Sequence, residues 1–466
     1  MKKYLSKIYN YLPHFCHNLF VTGYNIVNYK IRMSGNYSKW RKHYKNNEGL
    51  PIEELKKIQE SKFIDLLRYT FNNSPFYAQF YKDVDVLSIS EISEIQKLPI
   101  IHKEILRANI DQIITLPKNR AKASKTGGTT GKSLTVYKFE NDIQERIAIL
   151  DNFRAKEGYE LGKRTAWFSG KSLLTKRDIK KNRFWKTDYW YNVRYYSTFH
   201  MKDTFLKYYI ENLTTYSPEF LVGFPSTIYE IAKYGLAHNI DFPSNTVKAI
   251  FPTAETVTKE TRAALELFFK TKVYDQYASS EGAPFIFECK LGNLHMDIQT
   301  GVFEVLDEND TPAKEGRLIL TSFTSYGTPL IRYDIGDSLL LSDKICTCGN
   351  NNPLVEEILG RVSDYIYSSE TGKINLGNVS NTLKDTKGII KFQVIQDSLE
   401  RIEIKIVLDS AKYSNHIEKI FLDNWRDRVG TKMDIDITQV DDIAVEKSGK
   451  YRIVQNNIKH LIENNS

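Results

Sequence analysis

The chain has 466 residues, 41% hydrophobic and 26% charged, with a formal net charge of +8. That length exceeds one compact core and implies about two to four domains, and the composition excludes a disordered or collagen-like chain. Four cysteines are too few for a disulfide framework, no apolar run reaches the roughly 18 residues of a membrane span, and the modest charge suits an anionic small molecule without requiring nucleic acid.

Met1 to Asn46 carries nine Lys or Arg and no acidic residue. Leu5, Ile8, Tyr9, Leu12, Phe15, Cys16, Leu19 and Phe20 recur among them at helical spacing. Two readings fit: a helix making weak contact with an anionic membrane surface, or a helix packed on the domain with a solvated basic side. Pro13, His14, His17 and Asn18 interrupt any signal-peptide core, so a cytoplasmic location is expected.

Pro51 to Arg68 reads as a helix burying Leu55, Ile58, Phe63, Leu66 and Leu67, broken at Asn72-Asn73-Ser74-Pro75. Short helices with Ser88 or Ser90 as caps are expected up to Ile110. Next comes Lys125-Thr126-Gly127-Gly128-Thr129-Thr130-Gly131-Lys132-Ser133. Its glycines let successive backbone N–H groups converge on an anion, and its hydroxyls and Lys132 add donors and charge. It is not a Walker loop, because Thr126 stands where that pattern needs glycine. The β-branched and aromatic run Leu134 to Tyr137 also predicts a strand after it, not a helix.

Glu140 to Lys156 reads as a helix, and the basic residues of 171–186 as a solvated surface loop in preference to a phosphate-binding patch. From Thr165 to Tyr274 strand-like and helical runs alternate, which predicts a parallel sheet with crossover helices. Phe285 to Leu341 is richer in strands. Past Gly360, two strands, a helix at Tyr413 to Arg428 and a strand at Met433 to Val440 predict a small α+β domain. The expected fold is therefore α/β: a helical segment over 1–74, a large α/β domain with parallel sheets and a β-rich subdomain over 75–360, and a small mobile α+β domain over 361–466.

Several short segments fall where open α/β sheets bind ligands, beyond the carboxyl ends of strands. Tyr277-Ala278-Ser279-Ser280-Glu281 offers a ring for a base and a carboxylate for Mg²⁺. Thr253-Ala254-Glu255 ends the preceding strand. Ile331 to Asp337 supplies a carboxylate in a glycine turn, Gly360-Arg361-Val362-Ser363-Asp364 lies at the domain boundary, and Ser448-Gly449-Lys450 presents a lysine near the end of the small domain.

In this order the segments resemble the adenylate-forming superfamily, and within it the phenylacetate–CoA ligase-like family that includes proteins named for capsular polysaccharide biosynthesis. The resemblance runs from about Pro75 to Ile453. It implies that Thr126, Gly127, Gly128, Thr129, Thr130, Gly131 and Lys132 hold the β- and γ-phosphates of ATP, that Tyr277 stacks on adenine, and that Glu281 binds Mg²⁺. Glu255 would lie beside the same crevice. Asp337 and Arg361 would bind the ribose, and Lys450 would bridge the carboxylate substrate and the α-phosphate. Gly127 and Ser133 depart from the family's loop, Asp334-Ile335-Gly336 from its usual Arg-Thr-Gly, and Ser363 from its hinge.

The implied reaction is ATP- and Mg-dependent conversion of a small-molecule carboxylate to an acyl-adenylate with release of pyrophosphate. Transfer to a thiol, coenzyme A by preference, would follow. Alternatives are an amine, hydroxyl or carrier acceptor in surface polysaccharide biosynthesis, or a non-catalytic nucleotide-binding relative. Composition and spacing do not identify the acid. Phe224, Tyr191 and His200 are candidates to line its pocket.

Cys289 and His295 form a Cys-x₅-His pair, and Cys346 and Cys348 a Cys-x-Cys pair followed by Gly349. Together they could close a structural Cys₃His zinc site or remain buried thiols.

Overall fold

The computed structural model describes residues 12–125, 134–168, 173–198, 200–201, 203–361, 365–370, 372–375, 382, 386, 388–409, 411, 413–444 and 452–463. The chain forms two compact units, one of Met1–Glu304, Ile319–Ile335 and Leu341–Glu356, the other of Val305–Leu318, Gly336–Leu340 and Glu357–Ser466.

The first unit begins with three helices: α1 (His14–Met33), α2 (Tyr37–Asn46) and α3 (Ile52–Asn73). In α3 the spacing of Leu55, Phe63, Leu66 and Leu67 puts all four in the core. Ser74 stops it and caps the next short helix, accepting from the Tyr77 backbone N–H at 3.5 Å. The expected serine caps further on do not form. Asp85 caps instead, accepting from Ser88 N–H at 3.3 Å, and Ser90 gives its own N–H to Glu94.

Strands β1 (Lys122–Lys125) and β2 (Thr135–Lys138) pair antiparallel, with Lys125 opposite Thr135. The glycine-rich segment therefore joins two strands, as the run after it implied. Helix α4 (Glu140–Ala155) follows, its start fixed by Asp142, whose carboxylate accepts from Phe139 N–H at 3.1 Å.

A six-stranded sheet comes next: β3 (Thr165–Phe168), β4 (Trp185–Asp188), β5 (Val193–Tyr196), β6 (Phe220–Gly223), β7 (Ala249–Pro252) and β8 (Lys272–Val273), in the order β4-β5-β3-β6-β7-β8. All neighbours are parallel except β4 and β5. Helices α5 (Asp203–Tyr216), α6 (Pro225–Ala237) and α7 (Lys259–Phe269) are the crossovers. Phe168, Tyr196, Leu221 and Ile250 meet Ile228, Leu213 and Phe268 in one core. Burying each such side chain contributes about 1.5–3 kcal/mol. Gly223 ends β6 because a Cβ there would come within 2.0 Å of the Phe168 carbonyl oxygen.

The expected surface loop over 171–186 is not one. It contains a helix, Lys176–Lys180, and the first two residues of β4, and Lys186 is fully buried against Asp178 at 2.8 Å. Charge density suggested solvent; the carboxylate partner, eight residues away, permits burial.

Strands β9 (Gln276–Tyr277), β10 (Ile286–Glu288), β11 (Leu294–Met296), β12 (Gly301–Leu306), β13 (Glu315–Ser322), β14 (Tyr333–Ser342) and β15 (Leu354–Arg361) form a seven-stranded sheet in the order β12-β13-β14-β15-β11-β10-β9. In the second unit, β16 (Tyr365–Ser368) and β17 (Gly372–Asn375) make a hairpin. Strands β18 (Ile389–Gln396), β19 (Arg401–Leu408), β20 (Asp434–Gln439) and β21 (Val454–Asn456) make a sheet in the order β20-β19-β18-β21. Helix α8 (Asn415–Val429) packs on it through Phe421 and Trp425 against Phe392. No helix among the described residues is long and apolar enough to cross a membrane.

Candidate active site

The parallel strands β3, β5, β6, β7 and β8 end on one side of the first unit's sheet, and the segments after β7 and β8 carry the carboxylates the sequence singles out. Glu255, three residues past β7, accepts from the Ser226 N–H at 3.1 Å. That amide belongs to the first turn of α6, so the carboxylate sits at the positive end of the helix dipole. Gln276, on β9, donates to the Pro252 carbonyl at 3.0 Å and ties the turn that follows to the end of β7.

That turn, Tyr277 to Glu281, is held from three directions. Lys103 Nζ lies 3.2 Å from the buried Glu281 carboxylate. Lys138, the last residue of β2, donates to the Ser280 carbonyl at 3.0 Å. Arg146, on α4, donates to the carbonyls of Gly282 at 2.9 Å and Ala283 at 2.8 Å and to Thr324 Oγ1 at 2.7 Å. Ser279 Oγ accepts from the N–H groups of Gly282 at 3.2 Å and Ala283 at 3.0 Å, and Gly282 takes a φ of +120°.

Burial acts on two of these cations, Lys138 and Arg146. It pushes Lys138 down to about 7, with Arg146 adding to the effect and Asp142 and Glu281 opposing it. It lowers Arg146 to about 10 and raises Asp142 to about 6. Strand β2, which follows the glycine-rich segment, is thus tied by Lys138 to the turn that carries Tyr277 and Glu281. Tyr137, one residue earlier, exchanges two hydrogen bonds with Thr328 Oγ1, donating its N–H at 2.8 Å and accepting at its carbonyl at 2.9 Å.

Lys103, Lys138 and Arg146 were not singled out from the sequence. Lys103 is placed by Ile101, whose N–H bonds the Arg332 carbonyl at 2.9 Å and which bridges to Tyr333. That contact spans more than 200 residues and leaves no local trace. Arg146 did leave one: α4 is charged all round, with Asp142, Glu145, Arg146, Asp151 and Arg154 buried, and such a helix must face a polar network.

The glycine-rich residues Thr126, Gly127, Gly128, Thr129, Thr130, Gly131 and Lys132 lie outside the described residues, as do Lys450 and the hinge pair Ser363 and Asp364. Arg361 closes β15, but its side chain is outside the description too. Asp337 belongs to the second unit, buried on β14. Of the pocket candidates, Phe224 and His200 follow the carboxyl ends of β6 and β5. Tyr191 precedes β5, at the opposite end of the sheet, where its ring packs on Tyr29 with centroids 4.4 Å apart. It does not line the crevice.

Elsewhere in the first unit, donor atoms of Cys289, His295, Cys346 and Cys348 all lie within 4.8 Å of one another. Cys289 Sγ is 3.7 Å from Cys346 Sγ, and Cys348 Sγ is 3.5 Å from His295 Nε2. A tetrahedral zinc with Zn–S of about 2.3 Å and Zn–N of about 2.0 Å has S–S and S–N edges of about 3.8 and 3.5 Å. His295 Nδ1 meets the Asn352 carbonyl at 3.1 Å, which leaves Nε2 to the cluster, and the Asn350 N–H points at Cys348 Sγ at 3.4 Å. Burial lowers the His295 pKa and keeps its ring neutral, the ligating form. These four residues could hold one zinc ion.

The architecture is that of the adenylate-forming CoA ligases. It matches the crystal structure of a 2-hydroxyisobutyryl-CoA ligase in its postadenylation state with a TM-score of 0.71 at 16% identity, over 90% of this chain and 93% of that one. A model of the CapK C-terminal domain matches residues 366–457. The protein CapK of Staphylococcus aureus is 34% identical over 459 residues, 98% of this chain and all of its own length. A phenylacetate–coenzyme A ligase of Thermus thermophilus is 23% identical over 331 residues, 68% of this chain and 73% of that enzyme. The chain belongs to the CapK family of the phenylacetate–CoA ligase-like, adenylate-forming proteins.

Proposed function

We propose that this protein activates a carboxylic acid with ATP and transfers the acyl group to a thiol, with coenzyme A as the acceptor. The observation that carries this reading is the Tyr277–Glu281 turn, set beyond the ends of the parallel strands and fixed by Lys103, Lys138 and Arg146. A carboxylate and ATP repel each other, so the site must align them and screen their charge.

In the first step a carboxylate oxygen attacks the α-phosphorus, the bond to the bridging oxygen breaks, and pyrophosphate leaves. Thr126 to Lys132 would hold the leaving phosphates, Tyr277 the adenine, Asp337 and Arg361 the ribose, and Lys450 the oxygens at the reacting phosphorus. Mg²⁺ held by Glu281 would neutralise charge on the departing pyrophosphate. In the second step the thiolate attacks the acyl carbon and AMP leaves with the electron pair, after the small domain has withdrawn Lys450. A thiol acceptor is supported by the 2-hydroxyisobutyryl-CoA ligase, which has been captured with its acyl-adenylate and CoA together.

The test is ATP–pyrophosphate exchange with a panel of aromatic acids, fatty acids and amino acids. One class of acid should support exchange, and Lys450→Ala should lower it by about 10²–10³. Unchanged exchange in that variant, or none with any acid, overturns the reading.

We further propose that Cys289, His295, Cys346 and Cys348 bind a structural zinc. Four protein donors leave no open position for substrate, so the ion would clip β10 and β11 to the segment between β14 and β15 without taking part in the reaction.

A further inference from the structure

Helix α1 is built inside out. Its buried residues are His17, Asn18, Asn25 and Tyr29, mostly polar. Each polar one has a partner on β4 or beside it. His17 Nδ1 meets Lys186 Nζ at 2.8 Å, and Asn18 accepts from the Thr187 N–H at 3.1 Å and donates to the Tyr189 hydroxyl at 2.9 Å. Asn25 donates to Asp188 at 2.6 Å and to the Tyr195 hydroxyl at 2.9 Å, and Thr22 Oγ1 accepts from the Tyr189 N–H at 3.0 Å. The polar arc of the helix is thereby fixed against the sheet.

The opposite arc faces solvent and, apart from Lys30 in the last turn, carries no charged side chain. Phe15, Leu19, Phe20, Tyr24, Ile26 and Val27 fall within about 180° at 100° per residue. All six are exposed, Phe20 to 59%, Tyr24 to 64% and Val27 to 61%. Tyr189 and Trp190, in the turn bonded to this helix, are 53% and 68% exposed. An apolar cleft of about 200 Å³ opens at the helix edge between Phe20, Tyr24, Leu173 and Tyr195. A surface helix ordinarily turns these faces the other way, and a contiguous apolar strip of this kind marks an interaction surface.

We propose that this face docks the protein on an anionic lipid bilayer, lying in the interface without crossing it. Charge selects that occupant. The first 46 residues hold nine of the chain's 65 basic residues and none of its 57 acidic ones, so the other 420 residues carry 56 against 57. All of the net positive charge therefore travels with this helix and its flanks, including Lys30 and Arg32 in its last turn. A symmetric contact between two copies would bring two such segments together and repel; an anionic headgroup layer attracts them. Tyr and Trp beside an apolar strip are the side chains that settle at headgroup depth.

Flotation of the full-length chain with phosphatidylglycerol vesicles, and separately with phosphatidylcholine vesicles, tests this. The chain should float with the first, weakly or not at all with the second, and less in high salt. The double variant Phe20→Ser, Val27→Ser should bind roughly tenfold more weakly or worse while melting like the parent, since both side chains are exposed. Trp fluorescence should be quenched by brominated phosphatidylglycerol, and less so in Trp190→Phe. Absence of flotation with phosphatidylglycerol overturns the proposal. So does salt-independent binding to both vesicles, or a soluble dimer that the double variant converts to monomer.

Discussion

The Tyr277–Glu281 turn and the Cys/His cluster both gather residues far apart in sequence, but they treat charge in opposite ways. At the turn, a buried carboxylate already has its cation: Lys103 sits 3.2 Å from Glu281, and Lys138 and Arg146 fill carbonyls on either side. At the cluster, four donors converge to within 4.8 Å, three of them thiols that would bind a metal as thiolates. A site whose charges are already matched can receive a ligand and let it go. A cluster of donors alone is suited to a permanent ion.

The sharpest way to break that contrast is to remove the donors. Wild-type protein should contain about one zinc per chain. Cys346→Ser with Cys348→Ser should contain none and should melt lower by on the order of 10 °C, since losing a structural ion costs several kcal/mol. Elemental analysis and calorimetry read both. A metal-free wild type that melts like the variant removes the contrast altogether.

A smaller effect is expected at the turn, and in rate before stability. Glu281→Gln keeps the volume and one acceptor, and Lys103 is a quarter exposed, so the fold should hold. Pyrophosphate exchange should fall by about 10²–10³ and need more Mg²⁺ to saturate. Exchange within about threefold of wild type, at the same Mg²⁺ dependence, would leave Glu281 as the counter-ion of Lys103 and nothing more.

How much of this was legible in the sequence divides along the same line. Periodic elements were: α3, α4, the alternation from Thr165 to Val273, and β18 through β20 follow directly from residue spacing. So did the strand after the glycine-rich segment, because Leu134 to Tyr137 could not start a helix cheaply. The four Cys and His residues were legible because there are so few cysteines that any pairing draws attention. Lys103 and Lys138 were not, because a lone lysine reads as solvated until its long-range partner is known, whereas Arg146 has a trace in the all-round charge of α4. Lys186 is hidden for the same reason as those lysines, in a segment whose charge density implies a loop. The N-terminal helix was read as a helix, but not which way it faces: Asn18 and Asn25 look like solvent residues until Thr187, Tyr189 and Asp188 are placed opposite them.

Lys138 sharpens the contrast most finely, because its charge state decides whether the turn is matched by three cations or two. Burial holds its pKa near 7, well below the usual 10.5. Between about pH 7 and 10.5 the unfolded chain therefore binds a proton here that the folded chain lacks, and stability at this residue rises with pH. Below about pH 7 both states are charged and the cost of burying the ammonium is complete. Lys138→Met removes that cost together with the hydrogen bond to Ser280. The stability of the variant relative to wild type should be greatest near pH 6 and should decline by about 1.4 kcal/mol per pH unit through the window. Chemical denaturation of both proteins at pH 6, 8 and 10 measures the slope. A flat difference would mean that Glu281 and Asp142 keep the ammonium charged throughout, and the turn would then hold one more fixed cation for an incoming polyphosphate.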